Sequence, residues 1–184
     1  MHKTSALANH CKQLFLEVIK DNHRAVRFYE NHGYRPVYTL KYYFCMVQSL
    51  QTYVYTLPYN IIEISFEMLE AFRNALPDCH INWQSDTPYY SANKNETYLG
   101  AYEEDKLIGM MAMSPQGKIN FIWVDPAYRN RGLGRIMVQK SAQQQQNIEK
   151  VTTCLPNNGL YEGFLRKLGF EKEPLEQYEM YLPL

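Results

Sequence analysis

A glycine loop flanked by arginines, "RNRGLGR" at Arg129 to Arg135, is the stretch of this sequence best suited to bind a ligand. Gly132 and Gly134 carry no side chains, which leaves the backbone amides open to close approach. Arg129, Arg131 and Arg135 add positive charge, which favours a polyanion such as a phosphate. The pattern therefore predicts a phosphate-binding loop.

The elements on either side of this loop would direct its amides towards an anion. The predicted strand "KINFIWV" ends at Val124, Asp125-Pro126 forces a turn, and a predicted helix runs from Gly132 to about Gln145. Free N–H groups and the positive end of the dipole at a helix start attract phosphate oxygens. No G-K-[ST] follows, and Met137 fills the third glycine position, which excludes a Walker loop and a dinucleotide fingerprint. A purely structural strand-to-helix turn is the alternative.

The longer string "VDPAYRNRGLGRIMV" resembles the acetyl-CoA-binding motif of the GNAT superfamily of N-acetyltransferases, [QR]-x-x-G-x-[GA] after a β-strand. Arg129, Gly132 and Gly134 fill its three defined positions. "YLGAYEEDKLIGMMAM" is similar to the family's preceding β-hairpin, and "FLRKLGF" to its Y-x-x-x-G-[FY] segment. The resemblance covers about Thr52 to Leu184. It implies a GNAT fold of the α/β (α+β) class, with a central mixed, mostly antiparallel sheet flanked by helices.

This resemblance implies acetyl-CoA as cosubstrate and direct transfer of its acetyl (acyl) group to an amine, without a metal. The backbone from Arg131 to Gly134 would hold the pyrophosphate of CoA. The pantetheine arm would run along the strand that ends at Val124, and the thioester would lie where that strand splays from "KVTTCLP". The cofactor-binding residues expected on this basis are Ile122, Trp123, Val124, Arg129, Asn130, Arg131, Gly132, Leu133, Gly134, Arg135 and Asn158.

The general acid departs from the family pattern. Many relatives have a tyrosine five residues before the aromatic of G-[FY], and this sequence has Leu165 there. Leucine cannot donate a proton. Tyr161 lies one helical turn earlier on the same face and is our candidate for protonating the departing thiolate. Packing of its ring is the alternative explanation.

The general base is also not assigned by the pattern, because the strand from Lys118 to Val124 contains no carboxylate. Relatives often place a glutamate there. Glu103 is our candidate base, with Glu104 and Asp86 as alternatives, although each also suits a solvated loop; a water-relayed base would leave no mark. "DCH" at Asp78 to His80 combines reactive types, but adjacent side chains rarely converge, so we do not favour a covalent cysteine.

The acceptor pocket is expected from the polar loop between Asp78 and Glu96 together with the terminal strands. Trp83, Tyr89 and Tyr90 would make this pocket aromatic, which suits a small-molecule or peptide amine with an apolar body. The alternative is that these rings seal the core. The sequence does not identify the acceptor.

Other elements follow from local patterns. Asn22 is expected to cap a helix that runs to about Asn31 and ends at Gly33. Tyrosines and β-branched residues from Tyr34 to Tyr55 predict two strands. "IIEISFEMLEAFRNAL" predicts one amphipathic helix that ends at Pro77. Two short strands are expected at the end of the chain.

An internal repeat links the two ends of the sequence. A shift of 136 residues places Asn22 on Asn158, Phe28 on Phe164, and Gly33 on Gly169. Strand, asparagine, helix, glycine and aromatic residue follow in the same order in both copies. We interpret residues 1–55 as a partial GNAT-like unit, its C-terminal part without a CoA cradle, and residues 56–184 as the complete domain. The sequence thus predicts a tandem pair with a truncated first unit.

The partial unit carries two further expectations. Tyr29 matches Leu165 and so keeps the family tyrosine, but without a cradle beside it we interpret Tyr29 as structural, unless a partner supplies the cofactor. An incomplete sheet also leaves unpaired strand edges, which favour pairing with another chain. A homodimer through the partial unit is therefore expected.

Composition limits the other classes of function. The 184 residues are 46% apolar, which supports a folded core, and 19 basic residues balance 19 acidic ones. The zero net charge disfavours nucleic acid and anionic membrane as partners. Four cysteines form no CxxC pair and no zinc-finger spacing with the five histidines, which favours a reduced, cytoplasmic protein without a metal. No signal-peptide pattern is present at the N-terminus.

Two alternatives to an active enzyme stay open. One is a catalytically silent module that binds acyl-CoA, which Leu165 and the missing strand carboxylate favour. The other is a structural remnant whose exposed partial unit drives dimer formation. The leading hypothesis is an acyl-CoA-dependent N-acetyltransferase, active in the second unit.

Overall fold

The computed structural model describes residues 6–50, 58–76, 96–145, 147–156 and 159–184 of the chain. Short 3-10 turns cover Val47–Ser49 and Pro126–Tyr128. The elements are β1 (Gln13–Ile19), α1 (His23–Asn31), β2 (Arg35–Met46), β3 (Asn60–Glu63), α2 (Phe66–Ala75), β4 (Thr97–Glu103), β5 (Lys106–Met113), β6 (Lys118–Val124), α3 (Leu133–Gln144), β7 (Lys150–Pro156), α4 (Gly159–Leu168) and β8 (Glu171–Pro183).

All eight strands join one sheet in the order β1-β8-β2-β7-β6-β5-β4-β3. The pairing of β6 with β7 is parallel, and the other pairings are antiparallel. This confirms the expected mixed, mostly antiparallel sheet. Strand β2 lies between β7 and β8, and β8 in turn lies between β2 and β1. Strands from the first and the last parts of the sequence therefore alternate in one sheet.

Strands β6 and β7 separate soon after they meet. They pair only where Lys118 faces Thr152 and Ile119 faces Thr153. From there to Val124, the paired neighbour of β6 in the described part of the chain is β5. The splay expected between these two strands is therefore present, and its narrow end lies at Ile119.

Helices cover both faces of the sheet. On one face, α3 contributes Leu133, Met137 and Val138 to a core that includes Met111 and Leu165. On the other face, a smaller core forms around the α2 residue Leu69, with Met110, Ala112 and Phe121 of the sheet. Burial of these apolar side chains holds the helices against the sheet.

The 136-residue repeat is present in the strand pairings. Val18 faces Tyr178 between β1 and β8, and their counterparts Cys154 and Tyr42 face each other between β7 and β2. The same correspondence holds along both pairs of strands. The two segments therefore exchange their last strands: β2 pairs with β7, and β8 pairs with β1.

The helix ends of the two copies also correspond. Gly33 and Gly169 both adopt left-handed φ angles, of 92° and 88°. The Tyr34 N–H donates to the carbonyl of Tyr29 at 3.1 Å, and the Phe170 N–H donates to that of Leu165 at 3.0 Å. Each glycine thus ends its helix in the manner that the sequence predicts.

The cap predicted at Asn22 is confirmed, since its side chain accepts from the Ala25 N–H at 3.1 Å. Within residues 34–50 the segment Tyr34–Tyr55 holds one long strand, β2, and its remaining residues lie outside the described ranges. Two other local predictions were wrong. Strand β8 is one long strand where two were expected. The "IIE" residues form β3, because they pair with β4, and the helix begins only after the Ser65 cap.

Several predictions lie outside the described residues. The boundary at residues 55 and 56 falls there, as do Asn158, Asp86 and the segment Asp78–His80. The predicted pocket residues Trp83, Tyr89 and Tyr90 fall there as well. The division into a partial and a complete unit therefore stays a prediction. None of the helices in the described part is long and apolar enough to cross a membrane.

Candidate functional site

The predicted phosphate loop leaves β6 through a capped turn. The Asp125 carboxylate accepts from the Ala127 N–H at 2.9 Å and forms an ion pair with Lys106 at 3.2 Å. The hydrogen bond from Ala127 is the main reason that the pKa of Asp125 is lowered, with the Lys106 contact adding to it. The carboxylate thus fixes the direction in which the chain leaves the sheet.

Two residues of the loop adopt the left-handed backbone conformation. Asn130 has φ 60° and Gly132 has φ 89°, and α3 begins directly afterwards at Leu133. Gly132 offers no side-chain acceptor to the first amides of the helix, so these N–H groups point out of the helix start. A Cβ atom on Gly132 would meet no atom within 4 Å in the described part of the chain, so this side of the loop is not packed against it. This arrangement suits an anion.

Glycine is required at positions 132 and 134 for different structural reasons. At Gly134 an added Cβ atom would lie 2.9 Å from the ring of Phe164 and 3.7 Å from Val124. Gly134 therefore allows α3 to pack closely on α4, whereas Gly132 supplies the left-handed turn. The sequence pattern predicted open amides at both positions and did not reveal the packing at Gly134.

All three loop arginines make contacts within the protein. Arg129 donates from Nε to the carbonyl of Val124 at 3.0 Å, and Arg135 donates to the carbonyl of Lys167 at 2.6 Å. These bonds brace the loop against β6 and the last turn of α4. The Arg131 guanidinium lies 5.2 Å from the centre of the Tyr128 ring, a cation–π distance. A side-chain hydrogen bond with Tyr59 is the main reason that the pKa of Arg131 is raised.

The candidate base Glu103 lies at the end of the sheet from which the predicted phosphate loop leaves. It ends β4, and its carboxylate accepts a hydrogen bond from the Tyr128 hydroxyl. Val124 is the matching end of β6, five residues beyond the narrow end of the splay at Ile119. At about 3.3 Å per residue this is roughly 16 Å along the strand. Glu103 therefore braces the loop through Tyr128.

The candidate acid Tyr161 lies on α4, half-buried against the larger core. Its ring is 5.9 Å from that of Phe164 in an edge-to-face arrangement. Leu165, at the family tyrosine position, is fully buried in the same core. The helix thus directs its apolar face into the protein with Tyr161 at the margin of that face.

A carboxylate that the sequence reasoning missed lies near the narrow end of the splay. Glu96 precedes β4, and one of its oxygens accepts from the Asn120 side-chain amide at 3.0 Å. Burial raises the pKa of Glu96 to about 7, against the opposing effects of the Asn120 hydrogen bond and the Lys118 charge. Its position just before a strand gave no signal, because nothing in the neighbouring sequence shows that this carboxylate meets Asn120 of β6.

The wall of the site beyond β7 includes residues from the first repeat. The β2 residue Tyr42 faces Cys154 of β7, and its hydroxyl also contacts Gln177 of β8. Burial raises the pKa of the Cys154 thiol to about 12, so this buried thiol is protonated and unreactive at neutral pH. Within the described ranges, no group of three or more His, Cys, Asp or Glu side chains is arranged to hold a metal ion.

Comparison with known proteins places this geometry in context. N-alpha-acetyltransferase 60 of Xenopus tropicalis is 40% identical over 60 residues, which are 32% of this chain and 25% of that protein. The chain thus matches about a quarter of the length of this curated relative. The activity in that name is the activity of the Xenopus tropicalis protein.

Solved structures agree on the fold at low sequence identity. A functionally unknown conserved protein from Staphylococcus epidermidis has a TM-score of 0.72 at 12% identity, covering 98% of this chain and 76% of that one. A tandem GNAT protein from the clavulanic acid biosynthesis pathway has a TM-score of 0.70 at 13% identity, covering 98% and 67%. These likenesses concern the fold alone.

The model of the acetyltransferase (GNAT) family matches residues 64–170. The matched segment runs from the start of α2 to the end of α4 and contains the splay, the loop and the helix that follows it. Because this match spans more than half of the chain, the protein belongs to the acetyltransferase (GNAT) family.

Proposed function

We propose that this protein is an N-acyltransferase that transfers an acetyl (acyl) group from acetyl-CoA to an amine. The observation that carries the proposal is the combination of an open β6 edge with a left-handed loop and an uncapped helix start directly after it. A phosphate-bearing thioester needs both features, one for its anionic end and one for its extended arm.

The residues that would hold the cosubstrate follow from this combination. The amides of Leu133, Gly134 and Arg135 and the charge of Arg131 would bind the pyrophosphate. Arg129 and Asn130 would keep the loop in shape. Ile122, Trp123 and Val124 would offer the free edge of β6 to the pantetheine arm. When bound, the thioester supplies an activated acyl group.

For the proton transfers, Tyr161 is the proposed acid and Glu103 is the base proposed from the sequence. Tyr161 is supported by its place at the margin of the α4 core, with its ring against Phe164. Glu103 has weaker support, because its carboxylate is hydrogen-bonded to Tyr128 at the end of the sheet from which the predicted phosphate loop leaves. The acceptor is proposed to be a small-molecule or peptide amine, and a cytoplasmic location stays a prediction from the sequence.

A catalytically silent acyl-CoA-binding module is the second candidate function. The observation in its favour is Leu165, which is fully buried at the position of the family tyrosine and has no proton to give. Binding of acetyl-CoA is common to both candidates, whereas turnover is not.

The tandem organisation and a homodimer are further proposals. The tandem interpretation is supported by the equal registers of the two strand pairs under the 136-residue shift. The homodimer is supported by β1, an edge strand with Phe15 46% exposed and Ile19 44% exposed. Light scattering on the wild type and on Phe15→Lys tests the dimer: a monomeric wild type contradicts it.

The test of the proposed function is a two-stage assay. Calorimetric titration with acetyl-CoA measures binding, and a thiol dye then follows release of CoA across a panel of small amines and peptide N-termini. Binding with turnover of at least one amine is the expected result. Binding without turnover across the panel would support the silent module, and no binding at saturating concentration would overturn both candidates.

A further inference from the structure

Asn120 marks the point where the sheet opens. It directly follows Ile119, the last residue of β6 that pairs with β7. The register of β6 against β5 shifts here, since Ala112 faces Phe121 while Met113 faces Ile119. Asn120 is therefore an extra residue in β6, a β-bulge, and bulges redirect side chains next to active sites.

The bulged side chain reaches across the sheet to Glu96. The Asn120 amide donates to Oε1 of Glu96 at 3.0 Å, although strand β5 separates β6 from β4. Asn120 itself is only 8% exposed. One oxygen of the carboxylate is thus fixed in place by a buried donor.

The other oxygen of Glu96 has no such bond. Its Oε2 atom is buried and has no hydrogen-bond partner among the residues that the structure describes. A buried carboxylate oxygen without a donor is costly, so this atom is set up to receive one. An ammonium or amine N–H entering the narrow end of the splay would satisfy it.

We propose that Glu96 is the general base that takes the proton from the acceptor amine, and that Asn120 is the positioning residue that orients its carboxylate. This inference rests on the proposed acyltransferase function and deepens it. It replaces Glu103 in that role, because Glu103 is occupied by Tyr128 at the far end of β6.

The proton and electron movements balance with acetyl-CoA as the acyl donor. Glu96 Oε2 takes one proton from the acceptor ammonium and thereby frees the nitrogen lone pair. The lone pair forms the new C–N bond to the thioester carbonyl carbon, and the C–S bond breaks with its electron pair passing to sulfur. The second nitrogen proton ends on the CoA thiol, and Glu96 releases its own proton to water.

The surroundings of Glu96 set the pH at which it works. Burial raises its pKa to about 7, and the two opposing influences come from Asn120 and Lys118 of β6. Lys118 is itself buried enough that its pKa is lowered. The pKa of Tyr98 of β4 is raised to about 12, mainly by burial and also by the charge of Glu96, so Tyr98 stays neutral. A base must be unprotonated, so activity is expected to rise with pH through about 7.

The test compares Glu96→Gln with the matched, exposed control Glu149→Gln in the full-length protein. Glu96→Gln is expected to lower kcat by about 100-fold or more and to remove the rise of kcat/KM around pH 7. Acetyl-CoA affinity, measured by calorimetry, is expected to stay unchanged, and so is the activity of Glu149→Gln. Glu103→Gln is expected to keep the rise at the same pH.

Asn120→Ala tests the positioning role. Its hydrogen bond lowers the pKa of Glu96, so its loss is expected to move the rise of kcat/KM to higher pH, which a purely structural role would not do. The Glu96 carboxyl signal in a 13C NMR titration provides the same measurement without turnover.

The outcomes separate this inference from the function on which it rests. A wild type that binds acetyl-CoA but acetylates no amine contradicts the proposed function. An active wild type whose rate and pH profile are unchanged in Glu96→Gln overturns the role of Glu96 alone. An unshifted profile in Asn120→Ala overturns the positioning role.

Discussion

Gly134 of α3 and Phe164 of α4 lie so close that a Cβ atom on the glycine would be 2.9 Å from the phenylalanine ring. Gly134→Ala is therefore expected to lower the free energy of unfolding by about 1–3 kcal/mol, because the ring or the helix must move. Denaturant unfolding measures the change. Adding Phe164→Leu should recover part of the loss, and an unchanged stability in Gly134→Ala would show that the two helices are not in close contact.

Substitutions at Gly132 can test the proposed phosphate-binding loop without disturbing packing. Asn and Asp both tolerate the left-handed φ of this position, and no atom in the described part of the chain lies within 4 Å of its Cβ. Gly132→Asp is expected to weaken acetyl-CoA binding by about tenfold or more relative to Gly132→Asn, since only the aspartate repels a phosphate. An N-terminal aspartate stabilises a helix, so unfolding cannot explain the loss. Equal affinities in calorimetry would argue against a phosphate at this loop.

Tyr161→Phe isolates the proposed acid, because it removes the hydroxyl and keeps the ring beside Phe164. We expect kcat to fall by about 10-fold to 100-fold, at the low end of general-acid effects because a thiolate leaves readily. The KM for acetyl-CoA should be unchanged, and Tyr29→Phe serves as the control in the other repeat. If Tyr161→Phe retains the wild-type kcat, the ring has only a packing role.

The titration of Glu96 also predicts how stability depends on pH. Its pKa is raised from 4.5 to about 7 in the folded protein, so the folded state holds this proton more tightly than the unfolded state. The resulting stabilisation is complete below about pH 4.5 and is lost as the pH rises through about 7. Glu96→Gln is therefore expected to be more stable than the wild type at pH 8, with a smaller difference at pH 5. A difference that does not vary with pH would refute this linkage.

The turn between β6 and α3 and the fold class could be predicted because their signals are local. Gly132 and Asp125-Pro126 determine a turn within a few residues, and Asn22 and Gly33 mark the two ends of one helix. Such positions depend on backbone conformations that few residue types adopt. The family pattern then supplied the order of the remaining elements.

The partners of side chains could not be predicted, because they depend on distant strands. Asn120 meets Glu96 only because a bulge turns it across β5, and a bulge has no signature in the residue types. Arg129 and Arg135 suited a phosphate by charge alone, yet each donates to a main-chain carbonyl. The need for glycine at position 134 comes from Phe164, which lies on another helix.

The wrong assignment of β3 has a similar cause. In "IIEISFEMLEAFRNAL" the apolar spacing continues smoothly through the Ser65 cap, so the periodicity favoured one helix. Pairing of Asn60–Glu63 with β4 overrides that preference, which is the usual result when a short segment finds a sheet edge.

The exchange of last strands makes the order of synthesis matter. Gln13 has its sheet neighbour at Pro183, so β1 can pair only after about 170 further residues have been made. At 5–20 residues per second this wait lasts on the order of 10 to 30 s, during which Phe15 and its apolar neighbours have no β8 to bind. In a nascent chain of this topology, completion of the sheet at β1 therefore depends on synthesis of β8.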